Sequence, residues 1–470
     1  MIAAPTDELT VATRWGSRIA GGTAWVFGSR IASRGVTVLV NIAIARLLIP
    51  GSVGTLLLAI TVATVGATIA RVGMDQAPIR LVAQSFRQGD RGRAAASVRL
   101  SLLVTVAGTL VVGGVLLAGG WRWLALHAFH SVQMAGLETA GPLLLAALAL
   151  QQTASSWFKA VQAVRLVSLF DELLGNILWW IPLVILWLAG ANVSVREVMF
   201  LRVLSLVLLV AVMFVLVRYR LALLDVSSRG VIRMREALDL GATLMVTSLV
   251  GVFLGTSSDL LIIGALRPHA NVAGYGFCTS VAAIVSLPFL ASNVVAAPAL
   301  AAIRDGRDRE HVERSLRLVV AAVTLPALLF TAILAAAGGP ILGLVFGGAY
   351  GHYGDVLAVL ALGQFFLVAT GPCGITLQMM GQHRVALVLA VVTAVVSIAG
   401  DLYAVTRWGV LGVAVATTIA YALNNIAAVW LAKRLTGVLT LPRVTRADLR
   451  LLRAWLRGAF AHAALDSGAR

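Results

Sequence analysis

Long unbroken apolar runs, rather than alternation, organise this chain. They fall near residues 20–48, 53–74, 95–119, 139–161, 167–190, 197–217, 237–265, 272–300, 317–338, 356–379, 385–405 and 409–432. An α-helix crosses the hydrocarbon core of a bilayer with about 20 apolar residues, so each run predicts a span. A transmembrane barrel would instead alternate over about 10 residues between turns. The pattern predicts an all-α membrane protein of about twelve transmembrane helices. The first 17 residues are polar and mixed, with Asp7, Glu8 and Arg14. The apolar run that follows is too long for a signal peptide and reads as an uncleaved first span.

Composition sharpens this. Of 470 residues, 60% are hydrophobic and only 12% are charged, whereas soluble domains carry about 25% charged residues. The net charge of +17 would suggest a nucleic-acid partner in a soluble protein, and its distribution excludes that here. With the N-terminus inside, 27 of the 37 basic residues lie in cytoplasmic connections and the C-terminal tail. Only Arg122, Arg196, Arg267 and Arg407 lie in outer loops. The other six, Arg30, Arg34, Arg46, Arg71, Arg99 and Arg202, lie within or at the ends of spans. Positive loops stay inside, so both termini are expected in the cytoplasm, with the protein in a bacterial inner membrane. Cys278 and Cys373 sit far apart in apolar runs and read as core residues, and the seven histidines show no metal-ligand spacing. No cofactor is expected.

The chain also repeats itself. ARLLIPGSVGTLLLA (45–59) follows the first span and ALRPHANVAGYGF (265–277) follows the seventh, with Pro50 answering Pro268 and Gly54 answering Gly274. Six helices separate the two motifs, so the repeat is parallel, an arrangement that suits a transporter with its site between two lobes. The expected organisation is a cytoplasmic N-terminus (1–19), an N-lobe (20–217), a basic cytoplasmic linker (218–236), a C-lobe (237–432) and a basic tail (433–470). In the tail, Arg446, Arg450, Arg453 and Arg457 share one helical stripe and Leu449, Leu452, Leu456 and Phe460 another. That pattern suits a helix on the anionic inner leaflet and equally a solvated helix packed on a loop.

Charged groups inside a span are costly unless they face a partner or a water-filled cavity. In the first span Arg30, Arg34, Thr37 and Asn41 share one helix face, and that span has no acid. The second carries Thr61, Thr64, Thr68, Arg71 and Asp75, the fourth Gln152, Ser155, Lys159 and Gln162, and the sixth Arg202. Pairing of Arg71 with Asp75 one turn on is a structural alternative for that arginine, and threonine stripes often serve helix packing. Arg30, Arg34, Asn41, Arg71, Lys159 and Arg202 are the candidate substrate-binding residues, a cationic cavity in the N-lobe. Asp401, on a stripe with Thr393 and Ser397, and Asp259 are candidates for coupling to a proton or sodium ion. Local pairing is the alternative reading of Asp259.

Several segments resemble a known family. ARLLIPGSVG, SSDLLIIGAL (257–266) with NVAGYGFCTS (271–280), LVFGGAYGHYGDVLAVLALGQ (344–364), MMGQHR (379–384) and RWGVLGVAVATTIAYALNN (407–425) occur in the order and spacing of one group of transporters. The chain resembles the polysaccharide-lipid flippases of the multidrug/oligosaccharidyl-lipid/polysaccharide exporter superfamily over most of residues 20–435. The resemblance implies a two-lobed alternating-access transporter. Its substrate would be a polyprenyl-diphosphate-linked oligosaccharide, moved from the cytoplasmic to the periplasmic leaflet for O-antigen or exopolysaccharide biosynthesis. The implied partners are that lipid-linked glycan, membrane lipids, a proton or sodium ion and polysaccharide polymerase machinery. Three rivals stand beside it. A drug exporter of the superfamily would call for a carboxylate where the first span has arginines, and a lipid II flippase resembles a fourteen-span protein. A glycan polymerase or ligase would need a catalytic constellation, and the outer loops with Arg122, His127, His130 and His352 show no nucleophile, metal or phosphate motif. An enzyme is not expected.

Overall fold

The computed structural model describes residues 6–161, 163–222, 234–289, 293, 296, 300 and 309–441. It is 88% helical, with no strands among the described residues. The principal helices are α1 (Thr6–Leu47), α2 (Pro50–Arg71), α3 (Ala77–Arg87), α4 (Arg91–Val115), α5 (Ala140–Ala160), α6 (Leu174–Leu188) and α7 (Val195–Ala222). They continue with α8 (Met234–Val252), α9 (Ser258–Leu266), α10 (His269–Ala282), α11 (Arg309–Phe346), α12 (Gly354–Ala369), α13 (Cys373–Met379) and α14 (His383–Thr436). Seven described helices are long and apolar enough to cross a membrane, eight if the bent α8–α9 pair is one span. Residues 223–233 of the expected linker and the tail from 442 lie outside the described residues.

Local sequence sets the helix ends. Pro50 opens α2, where its missing N–H costs nothing. Asp90 caps α4 by accepting the Arg93 N–H at 2.8 Å. The seventh apolar segment is not one straight span: α8 and α9 meet at a 58° bend, with Gly255 extended at φ −68°, ψ −160° inside a π-helical turn. The tenth segment is likewise interrupted, between α12 and α13. α14 is assigned as one helix of 54 residues, yet Gly409 leaves helical geometry at φ 62°, ψ −142°. The eleventh and twelfth apolar segments fall on either side of it.

The chain forms two compact units. The first comprises Met1–Ser280, Leu342–Gly351 and Val405–Val410. Within it α1 packs on α6, α6 on α7, and α7 on α5, while α5 packs on α2 and α4. α2 is the central element, also touching α8 and α9, and its Val53, Leu56, Leu58, Ala59 and Ala63 are wholly buried. Its threonines are satisfied within the helix: Thr61, Thr64 and Thr68 each donate to the carbonyl four residues back at 2.8–2.9 Å, leaving no open hydroxyl in an apolar setting. At one end of this unit, Gln133 donates to Ser52 at 2.8 Å, Arg46 to the Leu344 carbonyl at 2.9 Å and Arg267 to the Val405 carbonyl at 2.6 Å. The contacting face of these helices is apolar and so is the outer one, with Leu110 of α4 and Val215 of α7 about 70% exposed. Such a continuous exposed apolar surface fits a lipid surround rather than water.

The second unit comprises Val281–Ile341, His352–Ala404 and Leu411–Arg470. Cys373 and Leu377 of α13 pack on Ala428, Val429 and Ala432 in the second half of α14. Polar contacts tie the two halves of α14 together: Thr393 donates to Asn424 at 2.9 Å. Thr418 donates to the Val359 carbonyl of α12 at 3.1 Å. Glu313 pairs with Arg317 and accepts the Leu439 N–H at 3.0 Å.

Candidate functional site

The polar stripe of α1 divides along its length. Arg30 and Arg34 are exposed, and neither pairs with a described acid. One turn further on, the stripe turns to packing. Thr37 accepts from Asn176 of α6 at 3.1 Å, and Asn41 donates to Ser280 of α10 at 2.9 Å. Nothing in the sequence pointed to Asn176 or Ser280, because each lies far from its partner in the chain.

The other cations of the first unit each have a local setting. Arg71 is buried; its guanidinium donates to Thr68 at 3.1 Å, and its Nε has no protein partner. It makes no direct hydrogen bond to Asp75, whose charge nonetheless acts on it, and Asp75 accepts from Ser248 of α8 at 3.1 Å. Lys159 forms an ion pair with Asp171 at 3.0 Å. Asp171 sits on the π-helical turn Leu169–Leu173 and also accepts from Ser155, while Gln151 holds the Asp171 carbonyl at 2.8 Å. Arg202 donates to the Gly175 carbonyl at 3.0 Å and lies over the Trp179 ring at 4.7 Å, clamping α7 to α6. The structure therefore gives Lys159 and Arg202 protein partners and leaves Arg30 and Arg34 open.

The two carboxylates are both buried. Asp259 accepts from Tyr275 of α10 at 2.5 Å and from Ser258 at 3.1 Å. The Asp of SSDLLIIGAL and the Tyr of NVAGYGFCTS are thus one hydrogen-bonded pair. Asp401, fully buried in the second unit, lies 3.2 Å from the Thr417 hydroxyl and 3.4 Å from that of Ser397. No group of three or more metal-ligating side chains occurs among the described residues.

A further polar feature joins the two repeat motifs. His269, at the head of α10, lies between the Thr55 hydroxyl (2.9 Å from Nδ1) and the Phe129 carbonyl (3.1 Å from Nε2). Carbonyl acceptance assigns the proton to Nε2 in the neutral ring. Burial lowers the His269 pKa, opposed by backbone hydrogen bonds. Beside it, a cavity of about 410 Å³ is lined by Phe129–Ser131 and Gly264–His269.

Comparison with known proteins places this architecture. A family described as polysaccharide biosynthesis protein matches residues 43–355, most of the chain. The chain belongs to the polysaccharide biosynthesis protein family. Comparison with curated proteins gives no match. Among solved structures, this family member is similar to a multidrug resistance MATE family transporter of the MOP superfamily in its inward-facing conformation. The two are 14% identical, with a TM-score of 0.71 over 86% of this chain and 95% of that one. It is also similar to an aspartate mutant of the Vibrio cholerae MATE transporter VcmN, at 13% identity and TM-score 0.62 over 91% and 98% of the two chains. The lipid II flippase MurJ, inward closed, matches at 13% identity and TM-score 0.57 over 87% of each chain. At these identities the likeness shows the fold: a multi-pass helical membrane protein built as MOP-superfamily transporters are, with transporters and not enzymes for neighbours.

Proposed function

We propose that this family member is a flippase of a bacterial inner membrane that carries a polyprenyl-diphosphate-linked oligosaccharide to the periplasmic leaflet by alternating access. The observation that carries the reading is the open arginine pair of α1. Arg30 and Arg34 are one turn apart and exposed, and the chain holds no Asp or Glu between Glu8 and Asp75. Two guanidinium groups on a helix that the apolar pattern reads as the first span call for an anion. A diphosphate fits that need, because arginine offers phosphate oxygens paired donors in fixed geometry. The family supports the glycan end of the proposal, since a polysaccharide-building pathway supplies lipid-linked sugars on the cytoplasmic side. An exporter of cationic drugs is disfavoured by the same pair.

In this reading Arg30 and Arg34 receive the diphosphate first. Arg71, with its Nε unpartnered, is the next donor along, and Asn41 orients α1 through Ser280. Lys159 and Arg202 contribute only when they leave Asp171 and the Gly175 carbonyl. Each charge-assisted hydrogen bond is worth roughly 1.5–3 kcal/mol. Export should therefore fall roughly 10- to 100-fold in Arg34→Ala, taking about 1.4 kcal/mol per tenfold, while Arg34→Lys keeps part of it. Complementation of a glycan-export-deficient strain, with membrane level checked by blot, is the measurement. A double variant, Arg30→Ala with Arg34→Ala, that inserts normally and exports at the wild-type rate would refute the cationic site.

A further inference from the structure

α14 folds back on itself and gathers cations where its two ends meet. Thr393 donates to Asn424, 31 residues on, which a straight helix would hold about 46 Å away. The two halves therefore run side by side from Gly409, and Ala386 and Leu389 of the first pack against the cluster that holds Ala428 and Ala432 of the second. Arg384 in the first half and Lys433 in the second each lie nine residues from the Thr393–Asn424 contact, at the same end, with Arg434 next in the chain. All three are exposed, and none pairs with a described acid. Asp401 is the one acid between Asp355 and Asp448, and it lies 17 residues along α14 from Arg384. Glu313, which meets this end through the Leu439 N–H, is already held by Arg317. The helix dipole accounts for cations in the last turn of α14 but opposes one in its first turn, where Arg384 stands. The Arg434 guanidinium lies over the Trp430 ring, 5.0 Å from its centroid. Stacking uses the face of the guanidinium and leaves its N–H edge open to a phosphate. From Trp430, Ile426, Leu423 and Ile419 continue along the exposed face at helical spacing, and from Arg384 so do Val388, Val392 and Val395. A cation at the head of each exposed apolar stripe is the arrangement that an anionic amphiphile fits.

We propose that this end of α14 binds a phospholipid with an anionic headgroup, drawn from the leaflet that the charge bias assigns to the cytoplasm. Arg384, Lys433 and Arg434 take the phosphate, and the exposed stripes of the two halves take the acyl chains. A zwitterionic phospholipid brings its own ammonium group, which the three cations repel, so the site selects headgroups of net negative charge. The inference needs a membrane-spanning chain but not the flippase reading, so a failed export assay leaves it standing.

The test is quenching of Trp430 by phospholipids brominated on their acyl chains. It is read on the full chain in reconstituted bilayers, as the difference between the parent and Trp430→Phe. Brominated phosphatidylglycerol is compared with brominated phosphatidylcholine over a range of mixtures. The expected result is a preference of about fivefold or more for phosphatidylglycerol, the worth of one basic residue at an anionic surface. That preference should shrink in high salt and disappear when Arg384→Gln, Lys433→Gln and Arg434→Gln are combined. Equal quenching by the two lipids in the parent, or a preference that survives all three substitutions, would overturn the proposal. Should the triple variant fail to insert, the salt titration of the parent decides alone, and a preference indifferent to salt would overturn it too. A polyprenyl diphosphate added to the bilayers supplies the last arm. If it displaces phosphatidylglycerol from Trp430 at about a tenth of its mole fraction, the site takes a lipid diphosphate and the phospholipid proposal falls.

Discussion

Lys159 and Asp171 lie half-buried in a segment that the chain otherwise fills with apolar groups, at 36% and 26% side-chain exposure. Removing one member of such a pair leaves the other with its desolvation cost and no partner. Asp171→Asn should therefore destabilise the protein by about 1–3 kcal/mol, and adding Lys159→Met should restore much of it, read as a coupling in a double-mutant cycle of thermal unfolding in detergent. His269 offers a test of the opposite kind. Burial holds its folded-state pKa below the ordinary 6.5, so the folded state binds the proton less readily than the unfolded one. Its contribution to stability is complete above about pH 6.5 and is lost progressively as pH falls below it. His269→Gln keeps a donor for the Phe129 carbonyl without titrating. The parent's unfolding temperature should decline between pH 7 and pH 5, and the variant should flatten that decline. Asp401 is the candidate for coupling to a proton or sodium ion. If Asp401→Asn exports at the parent rate at every external pH and sodium concentration, coupling through it is untenable.

At the scale of the element, the break in α14 is where sequence and structure agree most closely. Gly409 occupies φ 62°, ψ −142°, a region essentially reserved for glycine, where other residues cost of order 1–3 kcal/mol. Gly409→Ala should lower thermal stability by about that amount, while Gly400→Ala, inside the first half of α14 with ordinary van der Waals room, should not. The gap between the apolar segments at 405 and 409 marked this turn. The bend at Gly255 is less plain: the short polar run Thr256–Asp259 follows it, yet the long apolar stretches on both sides read as one segment, and hydropathy does not register a change of helix direction. The same limit explains the polar stripes. Periodicity placed Arg30, Arg34, Thr37 and Asn41 on one face of α1, which is a local property of the helix. Which of them meets Asn176 or Ser280 depends on contacts between residues 139 and 239 positions apart, and hydrophobic patterning carries no information at that range. Asp259 and Tyr275 lie only 16 residues apart, which fits the local pairing that was the alternative reading of Asp259, although the sequence did not name its partner.

At the scale of the whole molecule, the segments that the charge bias assigns to one side of the membrane converge. Ser52, Phe129, Gln133, His269, Leu344, Val405 and Thr406 come from connections far apart in sequence and are linked by hydrogen bonds at one end of the first unit. At the other end lie the Val72–Gly73 turn, Gly241 and the Asp75–Ser248 contact. An orientation follows from joining this geometry to the charge distribution. Arginine-rich connections resist translocation, so the end bearing Asp75 should be cytoplasmic and the end bearing His269 periplasmic. Two cysteine reporters decide it, each in a chain with Cys278→Ala and Cys373→Ala. Val132→Cys, 81% exposed at the first end, should react in intact cells with a maleimide too polar to cross the membrane. Gln76→Cys, exposed at the second, should react only after the cells are opened. Fusions at the C-terminus add the remaining constraint: a reporter active only in the cytoplasm should work there. If Gln76→Cys labels from outside while Val132→Cys does not, the molecule is inserted the other way round, and the arginine pair of α1 would then have to be reconsidered as a site for periplasmic anions. If the two cysteines behave as expected but the C-terminal reporter is periplasmic, the chain crosses the membrane an odd number of times and the parallel six-helix repeat cannot hold.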